Sequence, residues 1–97
     1  MGADGPVRPL AEIELMQRSI QVRIDEIYVP AKRRKELEPA KVEALAEAII
    51  EEGLKTPIMV RADASRWVLV EGLHRLEALR ELGEAEIEAF HVQPRKR

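Results

Sequence analysis

Six consecutive residues, Val70-Glu71-Gly72-Leu73-His74-Arg75, join side chains able to hold an oxyanion to a main chain able to approach one. The glycine stands between a run of β-formers, Trp67-Val68-Leu69-Val70, and leucines at helical spacing, Leu73, Leu76, Leu79 and Leu82. His74 and Arg75 therefore fall in the first turn of a helix. That is the wrong end for cations. Aligned peptide dipoles leave about half a positive charge at a helix N-terminus, and a basic side chain there costs roughly 0.3–1 kcal/mol unless an anion is present. A bound phosphate reverses the sign, because free backbone N–H groups, the imidazole and the guanidinium then converge on one ligand. Gly72 would let the backbone come close to it. Spacing alone leaves plainer arrangements open: Arg75 paired with Glu71 or Glu77, His74 solvated, and Gly72 serving only a turn.

The rest of the composition narrows the chemistry. With 97 residues the chain closes one core, and 45% apolar with 35% charged residues describes a soluble globular domain rather than a disordered or membrane-spanning one. It has no cysteine, which removes disulfides, thiolate nucleophiles and thiolate zinc sites. A net charge of −2 gives no global attraction to polyanions, and three aromatic residues, Tyr28, Trp67 and Phe90, are too few for a single-strand stacking platform. Met1 to Pro9 lacks an apolar signal-peptide core, so a cytoplasmic location is expected.

The elements that must position the glycine-led motif follow from periodicity. Met1 to Ser19 is an extension whose short apolar pattern, Leu10, Ile13, Leu15 and Met16, suits a helical turn or two. Ile20, Val22 and Ile24 alternate as in a half-buried strand, and Asp25 to Pro30 leads into a loop that carries the basic run Lys32-Arg33-Arg34-Lys35. Pro39 suits the first position of a helix, Val42, Leu45, Ala46, Ile49 and Ile50 recur on one face of it, and Gly53 sits where it should end. Glu43, Glu47 and Glu51 line the opposite face, which a phosphate backbone would repel. Pro57 to Val60 and Trp67 to Val70 read as strands joined by the polar stretch Arg61 to Arg66. Ile87 to Val92 reads as a last edge strand before the basic tail, residues 93–97. The expected fold is α+β, a mixed sheet of about four strands with two main helices.

Across residues 20–92 this order resembles the ParB/sulfiredoxin superfamily. The match is carried by Leu37-Glu38-Pro39-Ala40-Lys41-Val42 before an amphipathic helix, then Pro57-Ile58, then Glu71-Gly72-Leu73-His74-Arg75-Leu76-Glu77-Ala78, then a closing strand. The resemblance implies that Gly72, Leu73, His74 and Arg75 hold nucleotide phosphates, that Lys41 approaches the nucleotide, and that Arg33 or Arg34 adds a phosphate contact. It implies a nucleotide triphosphate, ATP or CTP, with Mg²⁺, and no metal site built from protein ligands alone. Sulfiredoxins place their nucleophilic cysteine directly after the glycine. Leu73 stands there, so sulfiredoxin chemistry is excluded. Ala44 and Ala48 replace hydroxyl residues that face the nucleotide in sulfiredoxins. The helix-turn-helix that follows this domain in partition ParB proteins has no counterpart in the 97 residues, so sequence-specific DNA reading is not expected of this polypeptide alone.

Three readings stand side by side. The first is a ParB-like nucleotide- or phosphate-binding domain, accessory to a DNA-associated or partition-like system. The second is a small phosphotransferase or NTPase using the same pocket, with Glu71 or Glu36 as the candidate carboxylate. The third is an interaction module that keeps the fold without the chemistry. The expected partners are a nucleotide, a protein partner or a second copy, and weak, nonspecific, salt-dependent DNA through Arg95-Lys96-Arg97 and Lys32 to Lys35. No membrane is expected. Lys41 as an ordinary surface residue, and Lys32 to Lys35 as a solvated loop, remain open alternatives.

Overall fold

The computed structural model describes residues 19–93. The Leu10 to Met16 pattern and the Arg95-Lys96-Arg97 tail lie outside them. The elements run β1 (Ser19–Arg23), a 3-10 turn (Ile24–Glu26), β2 (Ile27–Tyr28), α1 (Ala31–Arg34), α2 (Pro39–Glu52), β3 (Ile58–Asp63), β4 (Arg66–Glu71), α3 (Leu73–Glu81) and β5 (Glu86–His91). The strands form one mixed sheet in the order β1-β5-β3-β4-β2.

The α+β expectation holds, with five strands in place of about four and a third, four-residue helix beside the two main ones. The added strand is β2, where Ile27 and Tyr28 pair parallel to Trp67 and Val68 of β4. Two residues are too few to print a period-two pattern, and only the neighbouring strand defines them. The strand expected at an edge, β5, is instead interior. It lies antiparallel to β1 (Val22 opposite Ile87) and parallel to β3 (Ile58 opposite Ala89), and Ile87 and Ala89 are accordingly buried. The polar stretch read as a hairpin loop is mostly strand: Arg61 pairs with Val68 and Asp63 with Arg66. Only Ala64 and Ser65 turn, with Ala64 at φ 56°. The basic run read as a loop folds as the single turn of α1 and its C-cap, Lys35.

α2 starts with Pro39 and stops at Gly53, whose φ of 82° suits glycine and whose N–H reaches the Ile49 carbonyl at 2.7 Å. Val42 and Ala46 are buried against Ala78 of α3. Ile50, expected on the same face, is 68% exposed. At 3.6 residues per turn it lies about 80° around the helix from Val42, at the margin of the stripe. α3 buries Leu73, Leu76 and Leu79 with Ile58, Val60 and Leu69 of the sheet, and the Glu84 N–H closes the helix on the Leu79 carbonyl at 3.1 Å. Among the described residues no helix is long and apolar enough to cross a membrane.

Candidate functional site

The junction of β4 and α3 is shaped by a ladder irregularity. Pairing runs from Leu69 opposite Val60 to Glu71 opposite Met59, which leaves Val70 as the extra residue beside the motif. Gly72 follows at φ 109° and ψ 32° as the N-cap of α3. A Cβ placed there would lie 2.6 Å from Ile58 Cγ2 and 2.9 Å from Ile58 Cβ. The glycine is thus demanded by the chain reversal and by the close passage of β3. The helix begins when the Leu76 N–H reaches the Gly72 carbonyl at 2.9 Å, and no side chain caps it. The amides of Leu73, His74 and Arg75 precede that first intrahelical bond, as the sequence pattern requires.

His74 and Arg75 meet partners that spacing does not signal. His74 Nε2 accepts the backbone N–H of Glu38, the N-cap of α2, at 3.1 Å. Arg75 Nη1 donates to the carbonyls of Thr56 (3.1 Å) and Pro57 (2.7 Å), on the segment that leads into β3. The guanidinium therefore sits among carbonyl dipoles, which offset part of the cost of a cation at a helix start, and the pairings with Glu71 or Glu77 left open by spacing are not the ones formed. Backbone groups carry no signature in sequence, so nothing in the pattern pointed to Thr56 or Pro57.

A cavity of about 510 Å³ opens at this junction, lined by Arg33, Glu36, Lys41, Ala44, Leu45, Leu69, Glu71, Gly72, Leu73, His74 and Arg75. One wall, from Ala44, Leu45, Leu69 and Leu73, is apolar. The remainder carries three cations against two carboxylates, with the start of α3 opening into it. Of the alternatives in α1, Arg33 lines this cavity, whereas Arg34 lines a neighbouring one with Val29, Leu37, Glu77 and Arg80 and donates Nε to the Val29 carbonyl at 3.4 Å. Consecutive residues of a helical turn diverge by about 100°, so the basic run cannot act as one surface. Arg33 pairs with Glu36 at 3.5 Å and Lys41 with Glu38 at 3.4 Å. Exposed pairs of this kind hold only ~0–1 kcal/mol and yield readily to a stronger anion. The apolar residues Leu45 and Leu69 complete the wall without any mark in the sequence beyond core periodicity. Among the described residues no three His, Asp or Glu side chains gather as a metal site. Glu36 and Glu71 suit a cation that arrives on a ligand's own phosphates.

The sequence profile of the ParB N-terminal domain matches residues 11–97. The chain belongs to the ParB N-terminal domain family. It is 36% identical over 74 residues to a probable chromosome-partitioning protein ParB of Campylobacter jejuni, an alignment covering 75% of this chain and 27% of that protein. The chain thus spans about a quarter of this ParB relative's length. Among solved structures, sulfiredoxin from Arabidopsis thaliana superimposes with a TM-score of 0.70 at 26% identity, over 78% of this chain and 85% of that one. The C-terminally truncated chromosome-partitioning protein ParB from Caulobacter crescentus, complexed with CTP-γ-S, superimposes with a TM-score of 0.69 at 22% identity, over 80% of this chain and 46% of that one. The ParB/sulfiredoxin resemblance read from the motifs is therefore the family and the fold of this domain.

Proposed function

We propose that this ParB-type domain binds the phosphates of a nucleotide in the cavity at the start of α3, as an accessory to a DNA-associated, partition-like system. The observation that carries the reading is convergence. Residues nominated from separated stretches of sequence, Arg33, Lys41 and Gly72 to Arg75, line one cavity together with Glu36 and Glu71. In this reading the α3 amides and the surrounding cations receive the phosphates, Lys41 and Arg33 exchange their surface carboxylates for them, and the apolar wall takes the rest of the ligand. The CTP-γ-S complex of the Caulobacter ParB structure supports a nucleoside triphosphate as the ligand; in this reading it is ATP or CTP, with Mg²⁺ carried on its phosphates. The likeness to a chromosome-partitioning relative supports the DNA-associated setting.

Calorimetry with ATP, CTP, GTP and ADP, each with Mg²⁺, tests the proposal. Saturable binding of at least one is expected, weakened roughly five-fold by Lys41→Ala, which removes about 1 kcal/mol of charge-assisted contact at an exposed position. No saturable binding up to millimolar nucleotide, or equal affinity in the variant, argues against it. Recovery of intact nucleotide separates a binding domain from a phosphotransferase or NTPase working through Glu71 or Glu36.

A further inference from the structure

The two helices that line the cavity are joined at their starting turns by one hydrogen bond, from the Glu38 N–H to His74 Nε2 at 3.1 Å, across 36 residues of chain. In a capping box the N-cap amide is satisfied by a Glu or Gln side chain returning from the third helical position. In α2 that position is Lys41, which has donors and no acceptor, and α2 has no side-chain cap. The missing acceptor is supplied by His74 from α3. An imidazole accepts at Nε2 only when neutral, with its proton on Nδ1; a doubly protonated ring has two donors and no acceptor.

We propose that His74 is a proton-operated positioning residue: neutral, it ties the first turn of α2 to α3, and on taking up a second proton it releases that turn together with Lys41. Protonation turns the bond into an N–H facing an N–H at the positive end of a helix, so the contact cannot persist. The charged groups around the ring come from every neighbouring element: Arg33 and Glu36 from the α1 segment, Glu38 and Lys41 from the start of α2, Glu71 from β4, and Arg75 from α3. Ring protonation also changes what the cavity offers an anion, from a single neutral Nδ1 donor to a cation beside a loosened α2. The latch stands without any ligand; only this last consequence rests on the phosphate-binding reading.

The experiment uses the ligand-free full chain and follows protection of the Glu38 amide by hydrogen exchange, corrected for intrinsic rates, from about pH 8 to about pH 5, the span over which imidazoles titrate. In the wild type, protection is expected to fall roughly ten-fold across this range, the scale of one lost hydrogen bond. His74→Gln, which carries its oxygen near the place of Nε2, should keep protection at both ends. His74→Asn, which reaches only the place of Nδ1, should lack it at both. His91→Gln, which alters the other imidazole, set edge-on to Trp67 at 5.0 Å, should respond like the wild type. Equal wild-type protection at both pH values, or a His74→Asn variant that matches the wild type, overturns the proposal. A titration with ATP, CTP, GTP and ADP, each with Mg²⁺, at the two pH values keeps the readings apart: a responsive latch with none of these nucleotides bound overturns the functional reading and leaves the latch.

Discussion

Replacing Gly72 by alanine puts a methyl group where the structure has no room and holds the backbone where alanine resists being. The new Cβ would lie 2.6 Å from Ile58 Cγ2, 2.9 Å from Ile58 Cβ and 3.2 Å from Ile58 Cα, so rotating the Ile58 side chain removes only the first of these contacts. Ile58 is fully buried, and its backbone is held in the ladder opposite Ala89. Overpacking of this kind costs about 1–3 kcal/mol. Holding a non-glycine residue at φ 109° adds strain, of order 1–3 kcal/mol. Against these stands ~0.4–1 kcal/mol gained by restricting the unfolded chain. The net loss is about 1–6 kcal/mol, a large part of the ~5–15 kcal/mol that holds a domain together. Urea denaturation of wild type and Gly72→Ala at fixed pH should show the midpoint falling with little change in slope. In an Ile58→Ala background, which removes Cγ2, the same substitution should cost at least ~0.5 kcal/mol less, a coupling readable in a double-mutant cycle. A loss below ~0.5 kcal/mol in the wild-type background, or an identical cost in both backgrounds, would refute the steric argument.

Arg75→Ala should lower stability as well as weaken nucleotide binding, because it strips the Thr56 and Pro57 carbonyls of a charged donor; a loss of about 1–3 kcal/mol by denaturant titration is expected. Arg33→Ala should weaken nucleotide binding and Arg34→Ala should leave it unchanged, since only Arg33 lines the cavity; calorimetry on the pair checks this. Away from the site, the hydrogen bond from Arg23 holds the Asp25 carboxyl below the usual aspartate range. A carboxyl with a depressed folded-state pKa contributes stability that is present above its unfolded value, near pH ~3.9, and lost as pH falls through the folded value. Arg23→Ala should therefore move the Asp25 titration upward in a carboxyl NMR experiment and remove that acid-side contribution.

Local order in this chain was legible where residues speak for their own neighbourhood. Pro39 and Gly53 bound α2, the leucines from Leu73 to Leu79 set the buried face of α3, and the glycine between β-formers and leucines marked the strand-to-helix junction. These signals are short-range, set by backbone sterics and by a period that one turn or one pleat suffices to express. The tertiary structure decided everything that needed a partner distant in sequence. It made β5 interior by inserting it between β1 and β3, and it made a strand of Ile27-Tyr28 only because β4 lies beside it. It split Arg33 from Arg34, and it turned two cations expected to await an anion into an acceptor for Glu38 and a donor to Thr56 and Pro57. Backbone amides and carbonyls are the same at every residue, so which of them a side chain meets depends on packing and not on spelling.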